Sequence, residues 1–148
     1  MSPVWINKKF DELTLHELYV ILQLRSEVFV VEQNCPFLDA DNKDFHCYHL
    51  CGWADGSLAA YTRLVPPGLA YREMSVGRVV TSIKFRALGY GKILMEESIK
   101  TCYHLFGKQA IRIGAQLYLK RFYESFGFVQ DSAVYDEDGI DHIEMILN

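Results

Sequence analysis

The 148-residue chain is half hydrophobic and carries a formal net charge of −4. That length can bury one sizeable core, so residues 1–148 are expected to form a single domain. The acidic balance, without clustered Lys and Arg, excludes a nucleic-acid surface, and no apolar run reaches the length of a membrane span. With no leader character at the N-terminus, a cytoplasmic protein without nucleic-acid or membrane partners is predicted.

Val4 to Phe10 alternates in polarity and predicts the first strand. Thr14-Leu15-His16-Glu17 is a capping box that opens a helix. Leu15, Leu18, Tyr19, Leu22 and Phe29 recur mostly at three- and four-residue steps, so this face is expected to pack on a sheet as far as about Val28. An apolar segment then becomes the acidic loop Asp39 to Asp44. A calcium loop is excluded there, because Asp44 stands where glycine is required and Leu50 where the bidentate glutamate is required, so a solvated loop is expected.

Cys35, Cys47, Cys51 and Cys102 form no C-x-x-C pair and read as reduced, packed thiols. Strand spacing separates residues 47, 49 and 51 too far for one zinc ion, so no metal is expected. Phe45 to Trp53 and Leu58 to Val65 flank an Asp55-Gly56 turn and predict a hairpin. Met74 to Phe85 predicts a strand, and the helix after it is expected to end at Phe106 with Gly107 as a left-handed cap. Ala110 to Ala115 predicts a short buried strand, and Tyr118 to Phe126 a helix capped by Gly127. A strand from Phe128 to Tyr135, a turn at Asp136-Glu137-Asp138-Gly139 and a last strand from Ile140 to Leu147 complete the chain.

Between the fourth predicted strand and its helix lies Arg86-Ala87-Leu88-Gly89-Tyr90-Gly91-Lys92. Backbone N–H groups at a helix N-terminus lack intrahelical partners and the peptide dipoles place positive charge there. Gly89 and Gly91 allow a bulky anion close to the backbone, while Arg86 and Lys92 add formal charge, so the loop reads as a diphosphate cradle. It is not a nucleotide P-loop, because Ile93 follows Gly91-Lys92 where Ser or Thr is needed. It is not a dinucleotide fingerprint either, because Leu94 takes the place of the third small residue.

The pattern R-x-x-G-x-G resembles the acetyl-CoA loop of the GNAT superfamily of N-acetyltransferases, [Q/R]-x-x-G-x-[G/A]. Phe122-Tyr123-Glu124-Ser125-Phe126-Gly127-Phe128 is similar to that family's [FY]-Y-x-x-x-G-F. Leu24 to Pro36, with Asp41, Asp44 and His49-Leu50, resembles its ElaA-like branch. The order of predicted elements agrees along nearly the whole chain. The resemblance implies an α+β, or mixed α/β, GNAT fold, with one mixed, mainly antiparallel sheet flanked by helices.

The function it implies is acetyl-CoA-dependent N-acetyl transfer, by direct attack, to a primary amine of a small molecule or peptide, with no metal and with room for a homodimer. Cofactor binding falls to Arg86, Ala87, Leu88, Gly89, Tyr90, Gly91 and Lys92. The backbone of Val79, Val80 and Thr81 would hold pantetheine and the thioester carbonyl, with Val80 N–H as oxyanion donor. Tyr123 corresponds to the general acid that protonates the thiolate. No carboxylate occupies the usual base position, so Glu32, His49 and a water chain are the candidates for the general base. The non-enzymatic alternative is an acyl-CoA sensor, against which Tyr123 speaks. The acidic stretches at 39–44 and 136–138 predict a preference for cationic amines.

Overall fold

The computed structural model describes residues 2–148. Strand β1 (Val4–Lys9) lies antiparallel to β2 (Tyr48–Ala54), which continues into β3 (Ser57–Val65) and β4 (Ser75–Thr81) in the order β1-β2-β3-β4. The β2–β3 turn is the expected one: Asp55 and Gly56 both have positive φ, 52° and 74°, the conformation a two-residue hairpin loop demands. A second group of antiparallel strands comprises β5 (Ile111–Gln116), β6 (Val129–Gln130), β7 (Tyr135–Glu137) and β8 (Ile140–Leu147), with both β5 and β6 paired to β8. The two groups meet at the parallel bridge Met74–Ile111, where Arg112 N–H donates to the Met74 carbonyl at 3.0 Å.

The expected strand from Phe128 to Tyr135 is broken into β6 and β7. Ser132 breaks it, because its Oγ accepts the Glu144 N–H at 2.8 Å, a donor that a continuous ladder would use. The predicted strand to Phe85 likewise stops at Thr81 and closes as a 3₁₀ turn over Ile83–Phe85.

Helix α1 (Leu15–Arg25) starts at the expected capping box: Glu17 N–H donates to Thr14 Oγ1 at 3.0 Å and Thr14 N–H to Glu17 Oε1 at 2.8 Å. Its buried face differs from the expectation. Leu15 and Tyr19 are 87% and 69% exposed, whereas Ile21, Leu24 and Arg25 are buried. A stripe that contains an arginine is invisible to a count of apolar periodicity. The helix continues as a π-helical stretch, Ser26–Glu32.

Helix α2 (Tyr90–Phe106) covers the opposite face of the first sheet, since Tyr61 packs with Ile21 and Leu24 while the adjacent Thr62 hydroxyl bonds Ser98 of α2 at 2.8 Å. Gly107 ends α2 with φ 87° and ψ 158°, an extended positive-φ conformation reserved for glycine rather than the expected left-handed helical one. Helix α3 (Lys120–Glu124) and its preceding 3₁₀ turn are shorter than the predicted helix, and their Tyr123 joins Met95, Cys102, Ile113 and Met145 in the larger core. No helix among the described residues is long and apolar enough to cross a membrane.

Candidate active site

Because β4 and β5 are bridged only near Met74, they part beyond it and leave a cleft of about 950 Å³. Val76 to Thr81 form one wall, and Ile113, Gly114 and Gln116 of β5 with Ile140 and His142 of β8 form the other. Tyr123 and Tyr118 also line it. The end of the π-helical stretch and the segment after it cross the gap as a roof with three attachments. Glu32 pairs with Arg86, Gln33 and Gln116 exchange side-chain hydrogen bonds at 3.3 and 3.4 Å, and Cys35 Sγ donates to the Asp138 carbonyl at 2.9 Å.

The loop before α2 has the shape of an anion cradle. Ala87 and Gly89 adopt positive φ, 68° and 76°, so Gly89 starts the helix in a left-handed conformation. The first helical bond runs from Ile93 N–H to the Gly89 carbonyl at 3.5 Å, leaving the amides of Gly91 and Lys92 before it. A Cβ at Gly89 would meet nothing within 4 Å, and one at Gly91 only Phe122 Cζ at 3.9 Å, so the approach is open. Leu88 and Lys92 are exposed, whereas the Tyr90 ring is buried and stacked on Phe85 at 6.0 Å, which leaves only its backbone for a ligand. Arg86 forks onto Glu32 at 2.5 and 2.7 Å, and that hydrogen bond, followed by the charge, holds the Glu32 carboxyl below the usual carboxylate range.

Val80 was expected to point its amide into the cleft, and the ladder places it otherwise. Val80 is registered against Tyr61 and Thr81 against Ala60, while Ser82 N–H donates to the Ala59 carbonyl at 2.8 Å. Amides facing one neighbour recur at every second residue, so Val80 N–H is committed to β3 and the Thr81 amide faces the cleft.

Tyr123 is 6% exposed, packed edge-on against Phe122 and Phe128 with centroids 5.2 and 6.1 Å away. Its hydroxyl has no hydrogen-bond partner among the described residues. Burial, with Tyr118 beside it, raises the phenol above its ordinary range, so it holds its proton at neutral pH.

The base candidates separate. Glu32 sits at the cleft mouth in its pair with Arg86. His49 does not reach the cleft: it is 1% exposed, its Nε2 donates to the Asp44 carbonyl at 2.9 Å and its Nδ1 accepts from the Tyr61 hydroxyl at 2.7 Å. Both ring nitrogens are occupied and burial lowers its basicity, so His49 is a structural imidazole and not the base.

The acidic loop is no solvated loop. Arg25 reaches Asp39 at 2.7 Å and Asp44 at 2.8 Å, Arg63 grips Asp41 at 2.7 and 2.9 Å, and Arg78 reaches Asp39 at 2.8 Å. Burial alone would raise the Asp41 and Asp44 carboxyls, but hydrogen bonds and charge from Arg63 and Arg25 hold them well below the ordinary range. Three guanidinium groups neutralise three carboxylates, which removes this stretch as a field for cationic substrates.

His142, unweighed in the sequence, is also in the cleft wall. It is 6% exposed, with Nδ1 2.8 Å from the Ile140 carbonyl and Nε2 3.3 Å from Glu137 Oε2. The Asp138-Gly139 turn was its signal, because a two-residue hairpin loop sets Tyr135 opposite His142 and Glu137 opposite Ile140.

Residues 42–148 match the family profile described as Acetyltransferase (GNAT) domain. The chain is 41% identical to Protein ElaA of Escherichia coli K12 over 143 residues, covering 95% of this chain and 94% of that protein. Its structure is similar to that of an acyl-CoA N-acyltransferase from Pseudomonas aeruginosa, with a TM-score of 0.95 and 42% identity over 99% of this chain and 100% of the other. It is similar as well to Escherichia coli ElaA, with a TM-score of 0.92 and 39% identity over 100% of both chains.

Proposed function

The chain belongs to the GNAT acetyltransferase family, in its ElaA-like branch, and on that premise we propose that it moves an acetyl group from acetyl-CoA to a primary amine of a small molecule or peptide. The observation that carries this reading is the parting of β4 from β5, with an anion cradle beside the opening and a buried, protonated phenol in its wall. Acetyl-CoA supplies the activated acyl thioester. The chain does the rest.

Arg86 and the amides of Gly91 and Lys92 suit the diphosphate, and the missing side chains of Gly89 and Gly91 leave it room. The backbone of Thr81, and of Val79 at the neighbouring strand irregularity, offers hydrogen bonds to the pantetheine arm and to the developing oxyanion. A fixed N–H in a water-poor cleft needs no reorganisation during reaction. Tyr123 holds the proton that a departing thiolate requires. The four unpaired, buried thiols suit a reducing compartment, and we assign the protein to the cytoplasm.

The test is thiol release from acetyl-CoA across a panel of amines. Amine-dependent release with acetylated product supports the assignment. Tight binding of CoA without such release would replace the enzyme by an acyl-CoA sensor.

A further inference from the structure

The roof runs from Glu32 at the anion cradle, through Gln33 on Gln116, to Cys35 on the Asp138 carbonyl, so the β7–β8 turn lies at the end of the roof away from the diphosphate. Four carboxylates line the cleft, and their partners differ. Glu32 is paired with Arg86 and Asp41 with Arg63, whereas Glu137 and Asp138 have no arginine or lysine partner among the described residues. Negative charge is therefore left uncompensated at the end of the cleft where an acceptor has to enter.

His142 stands beside that charge, in the cleft wall. The Ile140 carbonyl can only accept, so Nδ1 carries a proton and is occupied, and Nε2 is the nitrogen turned toward Glu137 Oε2, 3.3 Å away, and the cleft. With Nε2 unprotonated, its lone pair and the Glu137 carboxylate form two neighbouring acceptors that one incoming group with several N–H donors can bridge from the cleft side. An ammonium group supplies such donors. The other titratable groups facing the ring or sharing its wall are Tyr135 of β7, 5.9 Å away and tilted, Cys35 of the roof, and Tyr71, whose hydroxyl lies with that of Tyr135 over Gly114.

We propose that Glu137, Asp138 and His142 form the acceptor seat: the carboxylates bind the substrate as an ammonium ion and His142 Nε2 removes its proton, which makes cationic primary amines the substrate class. This rests on the transferase reading above. Proton transfer leaves a neutral amine and an imidazolium that Glu137 stabilises. The amine lone pair forms the N–C bond as the C–S bond breaks. Tyr123 gives its proton to the departing sulfur and recovers one from the acylated nitrogen, while His142 returns its proton to solvent. One amide, one thiol and one proton result.

The experiment uses putrescine, butylamine and aniline with wild type, H142N and E137Q/D138N. Asparagine keeps an N–H for the Ile140 carbonyl and removes Nε2. In H142N, kcat at neutral pH should fall on the order of 10²-fold, and the loss should shrink as pH approaches the amine's own pKa, with KM for acetyl-CoA unchanged. In E137Q/D138N, calorimetric binding of putrescine to the protein without acetyl-CoA should weaken several-fold at low salt, and by more than binding of the uncharged aniline. An active wild type whose H142N variant keeps its kcat and pH profile overturns the base role alone, and unchanged putrescine binding in E137Q/D138N overturns the seat. A wild type that binds CoA but acetylates none of the amines overturns the transferase reading, and the base role with it.

Discussion

Glu32 should compete with CoA for Arg86, and replacing it should tighten CoA binding. In the unliganded protein the Arg86 guanidinium is forked onto Glu32, so a diphosphate must take the arginine away from a carboxylate before it gains the contact. Both side chains are more than a third exposed, 39% and 37%, so solvent screens the pair. Exposed ion pairs are typically worth about 0.2–1 kcal/mol, which converts to a CoA affinity raised roughly 1.4- to 5-fold in Glu32→Gln. Arg86→Gln acts oppositely. It removes a charge-assisted hydrogen bond worth about 1.5–3 kcal/mol, and CoA affinity should drop roughly ten- to a hundredfold. Calorimetric titration with CoA, repeated with pantetheine, separates the diphosphate from the arm. Neither substitution should change pantetheine binding, and the gain in Glu32→Gln should fade as salt rises. Unchanged or weaker CoA binding by Glu32→Gln at low salt would refute the competition.

Arg25→Met takes the charge of the buried cluster from zero to −1 while Arg63 still reaches Asp44 at 3.1 Å and Arg78 still holds Asp39, so the cost should sit near the low end of the roughly 3–5 kcal/mol for a broken buried pair, read by urea denaturation. In wild type, because the folded Asp41 and Asp44 carboxyls lie below their unfolded values, their stabilisation should be complete above about pH 5 and be lost as pH falls through the folded values; a midpoint of unfolding independent of pH below 4 would contradict this. Tyr123→Phe should lower kcat on the order of 10²-fold, with the melting temperature preserved because the lost hydroxyl has no partner among the described residues; an unchanged kcat would make Tyr123 a packing residue. Gly91→Asp should abolish CoA binding without unfolding, since its Cβ meets only Phe122 at 3.9 Å and a carboxylate suits a helix N-terminus; retained affinity would remove the cradle from the mechanism.

What could be read in the sequence was local. The Thr14–Glu17 box, the Asp55-Gly56 turn and the Arg86–Lys92 loop each declare themselves within a few residues, through hydrogen bonds or φ angles that only certain side chains satisfy. The arginine–aspartate cluster was not legible, because Arg25, Arg63 and Arg78 meet Asp39, Asp41 and Asp44 from separate elements and each charge looks solvated in isolation. His49 failed as a base for a related reason. Its neighbours in sequence do not reveal that Tyr61 and the Asp44 carbonyl occupy both nitrogens. His142 was legible in principle, through the register that its hairpin turn imposes, but only once cross-strand partners are counted from the turn.

The least legible feature is the one that shapes the cleft wall. Alternation along an unbroken strand would put Val76 and Val80 on one face, yet Val76 packs in the core beneath α2 and Val80 in the cluster beneath α1. The register against β3 shifts between Tyr61 and Arg63, and within that shift Arg78 takes φ 51°, a left-handed conformation that costs a non-glycine residue about 1–2 kcal/mol. Arg78 recovers stability by donating to Asp39 Oδ1 at 2.8 Å and to the Asp39 carbonyl at 2.9 Å. The extra residue inverts which side chains, and which amides, face the cleft from there to Thr81. A strand read by period alone therefore turns the wrong amide to the cleft, Val80 in place of its neighbours. The acidic loop, through Asp39, is thus tied to the shape of the cleft as the support of a strained backbone rather than as an open field of negative charge.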